Sequence, residues 1–153
     1  MDNLERYIRE HPFWKGLDPR HFPLLLEGAS LGCFPAKQVI NKEGEEAKRF
    51  YLLCRGKVAI QSFIPGRGPV IIQTIGRGEA LGWSWLFPPY QWHFDACALE
   101  DTEAIVWDAV QLRAKVAAHR DFGYELVFRL AQVLIQRLYA TRMQLLELHE
   151  NQH

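Results

Sequence analysis

Net charge is the first thing this chain lacks. Its 18 lysines and arginines balance 18 aspartates and glutamates over 153 residues. No basic block breaks that balance, and a free-standing nucleic-acid binder would carry one. Nucleic acid is therefore not expected as a partner. Long apolar runs are also missing. None reaches the roughly 20 residues of a membrane helix. The opening Met1-Asp2-Asn3-Leu4-Glu5-Arg6 has mixed charge where a secretory signal needs an apolar core. A cytoplasmic protein with no membrane partner is expected. Cysteine is scarce, with Cys33, Cys54 and Cys97 far apart. An odd number without a Cys-x-x-Cys pair excludes a disulfide framework and a zinc site. The three are expected to be reduced core thiols.

Catalytic patterns are missing too. Ser84 stands outside any Gly-x-Ser-x-Gly setting, so no nucleophile elbow forms there. Glu43, Glu45 and Glu46 read as a charged surface turn rather than an acid–base pair. Cys97 has no neighbouring cation to draw out a thiolate. His93 stands alone among aromatics, as a hydrogen-bonded wall residue does. His11, His21, His119, His149 and His153 show no metal-ligand spacing. No catalytic residue, metal or cofactor is expected.

What is present is an apolar content of 48%, enough for one domain with one sizeable core over residues 1–153. Three zones divide it. Residues 1–30 read as helix: Leu4, Tyr7 and Ile8 keep helical spacing, and Pro12 ends the segment. Asp18-Pro19 then starts a second helix as N-cap and first helical residue. That helix stops at Gly28, and Pro23 sits awkwardly inside it. Residues 31–107 are short strands parted by turn signals at Glu43–Glu46, Arg55–Lys57 and Pro65–Pro69. Such a series predicts an antiparallel barrel or jelly roll.

Residues 108–149 return to helix. Asp108 caps a short one through about Ala118, and Asp121 caps a long one reaching His149. In the latter, Val127, Ala131, Leu134, Leu138, Thr141, Leu145 and Leu148 alternate by four and three, as in a seam between two chains. A second stripe, Leu126, Phe128, Leu130, Val133 and Ile135, docks the first half on the barrel. A homodimer is expected through Leu134, Leu138, Thr141, Leu145 and Leu148. Arg129, Arg137 and Arg142 share the helix with Glu125 and Glu147, and no helix-turn-helix follows to read DNA.

Helices, a jelly roll with a glycine-rich loop, then a short and a long helix: this order resembles the cyclic-nucleotide-binding domain, the catabolite-activator-type sensor module. The carriers are Pro12-Phe13-Trp14-Lys15-Gly16-Leu17, Val39-Ile40-Asn41-Lys42-Glu43-Gly44-Glu45, Phe50–Val58 and Gly78-Glu79-Ala80-Leu81-Gly82. The resemblance implies an α+β, mainly β fold. This is a double-stranded β-helix (jelly-roll) barrel with N-terminal helices and a long C-terminal helix. It also implies a hinge near Ala118 to Gly123, with Gly123 as pivot.

In the family, the cassette Gly-Glu-x-x-Leu leads through a short loop to Arg-x-Ala. Glutamate holds the ribose hydroxyl, and arginine with backbone N–H groups holds the cyclic phosphate. A part-buried phosphate needs such a cation and convergent donors. Here Trp83 follows Gly82 at the glutamate position. The arginine position falls on Trp92, or on His93 if the loop differs by one residue. The candidate ligand residues are Leu81, Gly82, Trp83, Ser84, Trp92, His93 and Phe94. Their rings either fill the pocket as core or line a cavity for a flat or apolar ligand with His93 as polar contact.

The block from Gly82 to Ala96 also looks like a stand-alone bacterial subgroup without a DNA-binding domain. That likeness implies a partner in a redox or hydrogenase-type complex. The subgroup has arginine where this chain has Cys97. The expected function is regulatory or sensor-like, with a cassette that does not bind cyclic AMP or cyclic GMP.

Overall fold

The structure, a computed structural model, describes residues 3–151. Met1 and Asp2 of the mixed-charge opening, and Gln152 and His153, lie outside the described residues. Helix α1 (Asn3–Glu10) buries Ile8 completely. Pro12 ends it and opens a single 3-10 turn, Pro12–Trp14. His11 ties that turn down with both ring nitrogens. Its Nδ1 accepts from the Phe13 N–H at 3.2 Å, so its Nε2 carries the proton and donates to the Leu53 carbonyl at 2.8 Å.

Asp18 caps as expected, accepting from the Arg20 N–H at 3.0 Å. What it caps is a second 3-10 turn, Pro19–His21, and α2 (Phe22–Leu26) begins only after it. Pro23 is therefore the second residue of α2, where no intrahelical N–H bond is required. This removes the awkwardness that a longer helix would impose.

Strand β1 (Ala29–Phe34) starts before the expected boundary at residue 31. Next come β2 (Val39–Asn41), β3 (Arg49–Arg55), β4 (Lys57–Ile64), β5 (Gly68–Gly76), β6 (Asp95–Ala98) and β7 (Thr102–Asp108). All pairings are antiparallel. The order is β1-β7-β3 in one sheet and β2-β6-β4-β5 in the other. The jelly roll is thus two open sheets over one core rather than a closed barrel. Gly56 turns β3 into β4 at φ +93°, where a Cβ would sit 2.4 Å from Thr102 Oγ1. No side chain fits there.

Aromatic rings fill the core. Phe50 lies between Trp85 and Trp107, with centroids at 4.7 and 5.5 Å and both pairs stacked. Trp14 meets Trp107 edge-on, and Trp107 Nε1 donates to the Leu25 carbonyl at 2.8 Å. None of the cysteines is fully buried in this core, although Cys54 packs against it. Cys33 is exposed, and Cys54 and Cys97 are half-buried. The expectation of core thiols therefore fails for Cys33, which strand alternation in β1 turns outward.

Helix α3 (Ala109–Ala118) is capped by Asp108, which accepts from the Gln111 N–H at 2.9 Å. Helix α4 (Arg120–Asn151) begins before Asp121, so Asp121 is not its cap. That carboxylate lies in the first turn, where the helix dipole favours it, and pairs with Arg20 at 2.9 Å. Gly123 is not at a break either. It is buried within α4, where a Cβ would lie 2.8 Å from the Val116 carbonyl oxygen. The chain bends at His119 instead.

The docked face of α4 is Phe122, Leu126 and Leu130, all fully buried, with Val133 packed beside them. Phe128 and Ile135, expected on that face, are 49% and 66% exposed. Steps of four and three from Phe122 keep one face at 100° per residue, and those two positions fall off it. No helix of the described residues is long and apolar enough to cross a membrane.

Burial lowers the His11 pKa from its ordinary 6.5, only partly offset by the bond to Leu53. The unfolded chain then binds the extra proton first. His11's contribution is complete above pH 6.5 and is lost as pH falls through the lowered folded value. Urea unfolding between pH 7.5 and 5 should show stability falling below pH 6.5, with a shallower fall in His11→Gln.

Candidate functional site

The segment between β5 and β6 is laid down from its ends inward. Gly78 N–H donates to the Leu53 carbonyl at 2.9 Å, Leu53 N–H to Glu79 at 2.9 Å, and Leu81 N–H to Tyr51 at 3.1 Å. These bonds extend β3 and fix where Gly82 falls. At the far end Trp92 exchanges backbone bonds with the turn after β2. Its N–H donates to Glu45 at 2.9 Å and its carbonyl accepts from Gly44 at 2.8 Å. Gly82 lies against two rings: a Cβ there would stand 3.0 Å from Phe94 Cζ and 3.1 Å from Trp92 Cζ3. Any side chain at this position would have to displace one of the two rings by a few tenths of an ångström.

Leu81, Gly82, Ser84, Trp92 and Phe94 are buried, Trp83 is half-buried, and His93 is exposed. Trp92 packs between Tyr51 and Phe94, with centroids at 6.4 and 5.6 Å. Its neighbour Trp85 enters the Phe50 stack. The loop tip is steadied by Arg113, whose guanidinium lies 4.0 Å from the Tyr90 ring centroid and donates to the Trp85 carbonyl.

A cavity of about 520 Å³ remains between this segment, strands β4 and β5, and helix α4. Trp83, His93 and Phe94 line it; Leu81, Gly82, Ser84 and Trp92 do not. From the helix come Leu134, Leu138 and Thr141, three of the five residues expected at a dimer seam. Leu145 and Leu148 lie away from it.

Arg137 completes the wall, and sequence reasoning missed it. It donates to the Leu81 carbonyl at 2.8 Å and closely to the Ala80 carbonyl. The guanidinium is 5.3 Å from the Trp83 ring centroid. Burial lowers its pKa to about 10, against the opposing pull of Glu79, so it stays charged at neutral pH. The signal was in the spacing: Arg137 is four residues beyond Val133, a charge continuing the docked face of α4. Arg129 also turns inward, to the carbonyls of Phe13 at 2.8 Å and Lys15 at 2.9 Å. Beyond Arg137 a more polar groove of about 440 Å³ runs past Gln73, Glu79, Gln132 and Gln136.

Reactive groups do not converge on this cavity. Cys54 has its thiol pushed up to about 11, first by burial and then by Glu103, so it is protonated at neutral pH. Among the described residues no three His, Cys, Asp or Glu side chains cluster as a metal site.

Residues 32–119 match the cyclic nucleotide-binding domain. The chain belongs to the cyclic nucleotide-binding domain family. No curated protein matches it significantly by sequence. Among solved structures, a cyclic nucleotide-binding domain from Methylobacillus flagellatus KT superposes with TM-score 0.83 at 19% identity, covering 94% of this chain and 84% of that one. The Catabolite Activator Protein of Thermus thermophilus gives 0.71 at 25% identity, covering 90% and 63%. The c-di-GMP responsive regulator CLP of Xanthomonas campestris gives 0.74 at 15% identity, covering 86% and 65%.

Within this cyclic nucleotide-binding domain the two tryptophans have different surroundings, and stability measurements should separate them. Trp92→Ala opens a hole in the core and should cost about 3–5 kcal/mol. Trp83→Ala, at a half-buried wall, should cost about 1 kcal/mol. Equal losses in urea unfolding would place both rings in the same role.

Proposed function

We propose that this cyclic nucleotide-binding domain is a non-catalytic regulatory protein that senses a small molecule other than cyclic AMP or cyclic GMP. The carrying observation is the split between the two tryptophans. Trp92, one of the two positions (with His93) on which the phosphate arginine would fall, is packed into the core, whereas Trp83 borders an open cavity of about 520 Å³. That volume lies in the range of drug-sized ligand sites. A cyclic nucleotide there would meet the Trp83 indole in place of a carboxylate, and the core-packed Trp92 offers its phosphate no charge-assisted partner. The fold itself serves other ligands, as the c-di-GMP responsive relative illustrates.

Signal output follows from what bounds the cavity. One wall is the remodelled cassette and the other is α4, so a ligand contacts both. The output passes to another protein, and the stand-alone bacterial subgroup makes a redox or hydrogenase-type complex the partner class to examine. Calorimetric titration with cyclic AMP and cyclic GMP should show no saturable binding tighter than about 1 mM. A micromolar dissociation constant for either would overturn the reading. Exchanging Trp83→Glu and Trp92→Arg together should not restore binding, because the second change drives a guanidinium into the core.

Dimerisation through α4 is supported by its outer face. Leu138, Leu145 and Leu148 are 71%, 63% and 61% exposed, an apolar row that water does not favour. Sedimentation velocity should give a particle of about twice 17.8 kDa. Leu145→Glu with Leu148→Glu, both off the cavity wall, should return the monomer. A monomeric parent chain would sink the dimer.

A further inference from the structure

Arg137 is a cation without a counterion. It bears on the cavity wall, and among the described residues no carboxylate lies within 4.0 Å of its guanidinium. The two carbonyls it meets, Ala80 and Leu81, are neutral dipoles. Its closest charged influence, Glu79, has its own carboxylate bound to the Gly76 N–H at 2.7 Å. Leaving water with no compensating charge is costly for a guanidinium. An anion arriving at the cavity would supply that compensation.

The donor count fits. A guanidinium has five N–H groups, and the carbonyls of Ala80 and Leu81 take two directions. One turn further along α4, Thr141 also lines the cavity. Its Oγ1 accepts from Gln73 Nε2 at 3.3 Å, which leaves the hydroxyl proton free to donate. Arg137 and Thr141 thus present donors on the helix side of a space that is mostly apolar, with Ser62, Gln73 and His93 as its other polar lining. The remaining wall offers Trp83 and Phe94 as ring surfaces and Leu134 and Leu138 as aliphatic ones. Rings favour a flat, ring-bodied occupant through stacking and edge contacts. The three N–H groups left on Arg137 and the Thr141 hydroxyl match the roughly four lone-pair sites of a carboxylate, whereas a phosphate would need a fuller cradle.

We infer that the cavity takes a planar aromatic carboxylic acid, its carboxylate on Arg137 and Thr141 and its ring body against Trp83 and Phe94. This deepens the sensor reading above and rests on it. The ligand's anion would be held by the long helix and not by the cassette strand.

Matched pairs of one shape and different charge give the test. 2-Naphthoate and anthraquinone-2-carboxylate are titrated beside their carboxamides, followed by calorimetry and by tryptophan fluorescence. The acids should bind about ten- to hundredfold more tightly than the amides. Arg137→Gln should abolish that preference, Arg137→Lys should keep part of it, and Thr141→Val should weaken the acids alone. Circular dichroism and thermal midpoints show that each variant is folded, and Thr141→Val serves if Arg137→Gln is not. Amides binding as well as acids, with Arg137→Gln unchanged, would overturn the inference while leaving the sensor reading intact. No binding by any of the four would overturn the inference, while the sensor reading stands or falls on the cyclic-nucleotide titration above.

Discussion

The guanidinium of Arg137 joins the long helix to the segment between β5 and β6. Two carbonyls, those of Ala80 and Leu81, receive it. Those carbonyls precede Gly82, so the helix grips the chain just where the family's ligand loop begins. Hydrogen bonds to a charged donor are among the stronger ones available. They hold α4 beside the cavity rather than letting it swing free. That grip continues the docking begun by the buried Phe122, Leu126 and Leu130, and it carries the helix wall out to the cavity. Gln144, donating to the Ile72 carbonyl at 2.6 Å, adds a second tie further out.

Aromatic residues do two kinds of work in this segment. Trp85 and Trp92 belong to the interior, where burial of a large ring is favourable by several kcal/mol in order of magnitude. Trp83 and Phe94 form a surface facing empty volume. Gly82 lets both sets sit close together, since a methyl group at that point would have to displace Phe94 or Trp92. The glycine rhythm inherited with the fold has thus acquired a second reason, close packing of rings.

Much of the fold was legible from the sequence. Asp108 and Asp18 cap as their types require, and the turns at Gly56 and Gly66 fall where expected. Misses came where tertiary contact overrides local preference. Asp121 looked like a cap because helix propensity alone cannot see His119 break α3 from α4. Gly123 looked like a pivot because a lone glycine in a helix is either flexible or crowded, and only the packing of Val116 tells which. Cys33 looked internal because free cysteine usually is. At the site, the residue types at positions 83 and 92 were evident, but their surroundings were not. One-dimensional pattern cannot say which of two indoles turns inward. Arg137 was weighed only with Arg129 and Arg142 as a contact for DNA phosphate, although its spacing from Val133 already put it on the docked face.

Gly123 packs closely on the carbonyl and side chain of Val116, which draws α4 against α3 just past the bend at His119. The elbow is therefore the fulcrum of a lever. Counting 1.5 Å per residue from the bend at His119, Arg137 lies roughly 27 Å along α4 and Asn151 roughly 48 Å. A tilt about that bend would move the far end of α4 nearly twice as far as the point held by the Ala80 and Leu81 carbonyls.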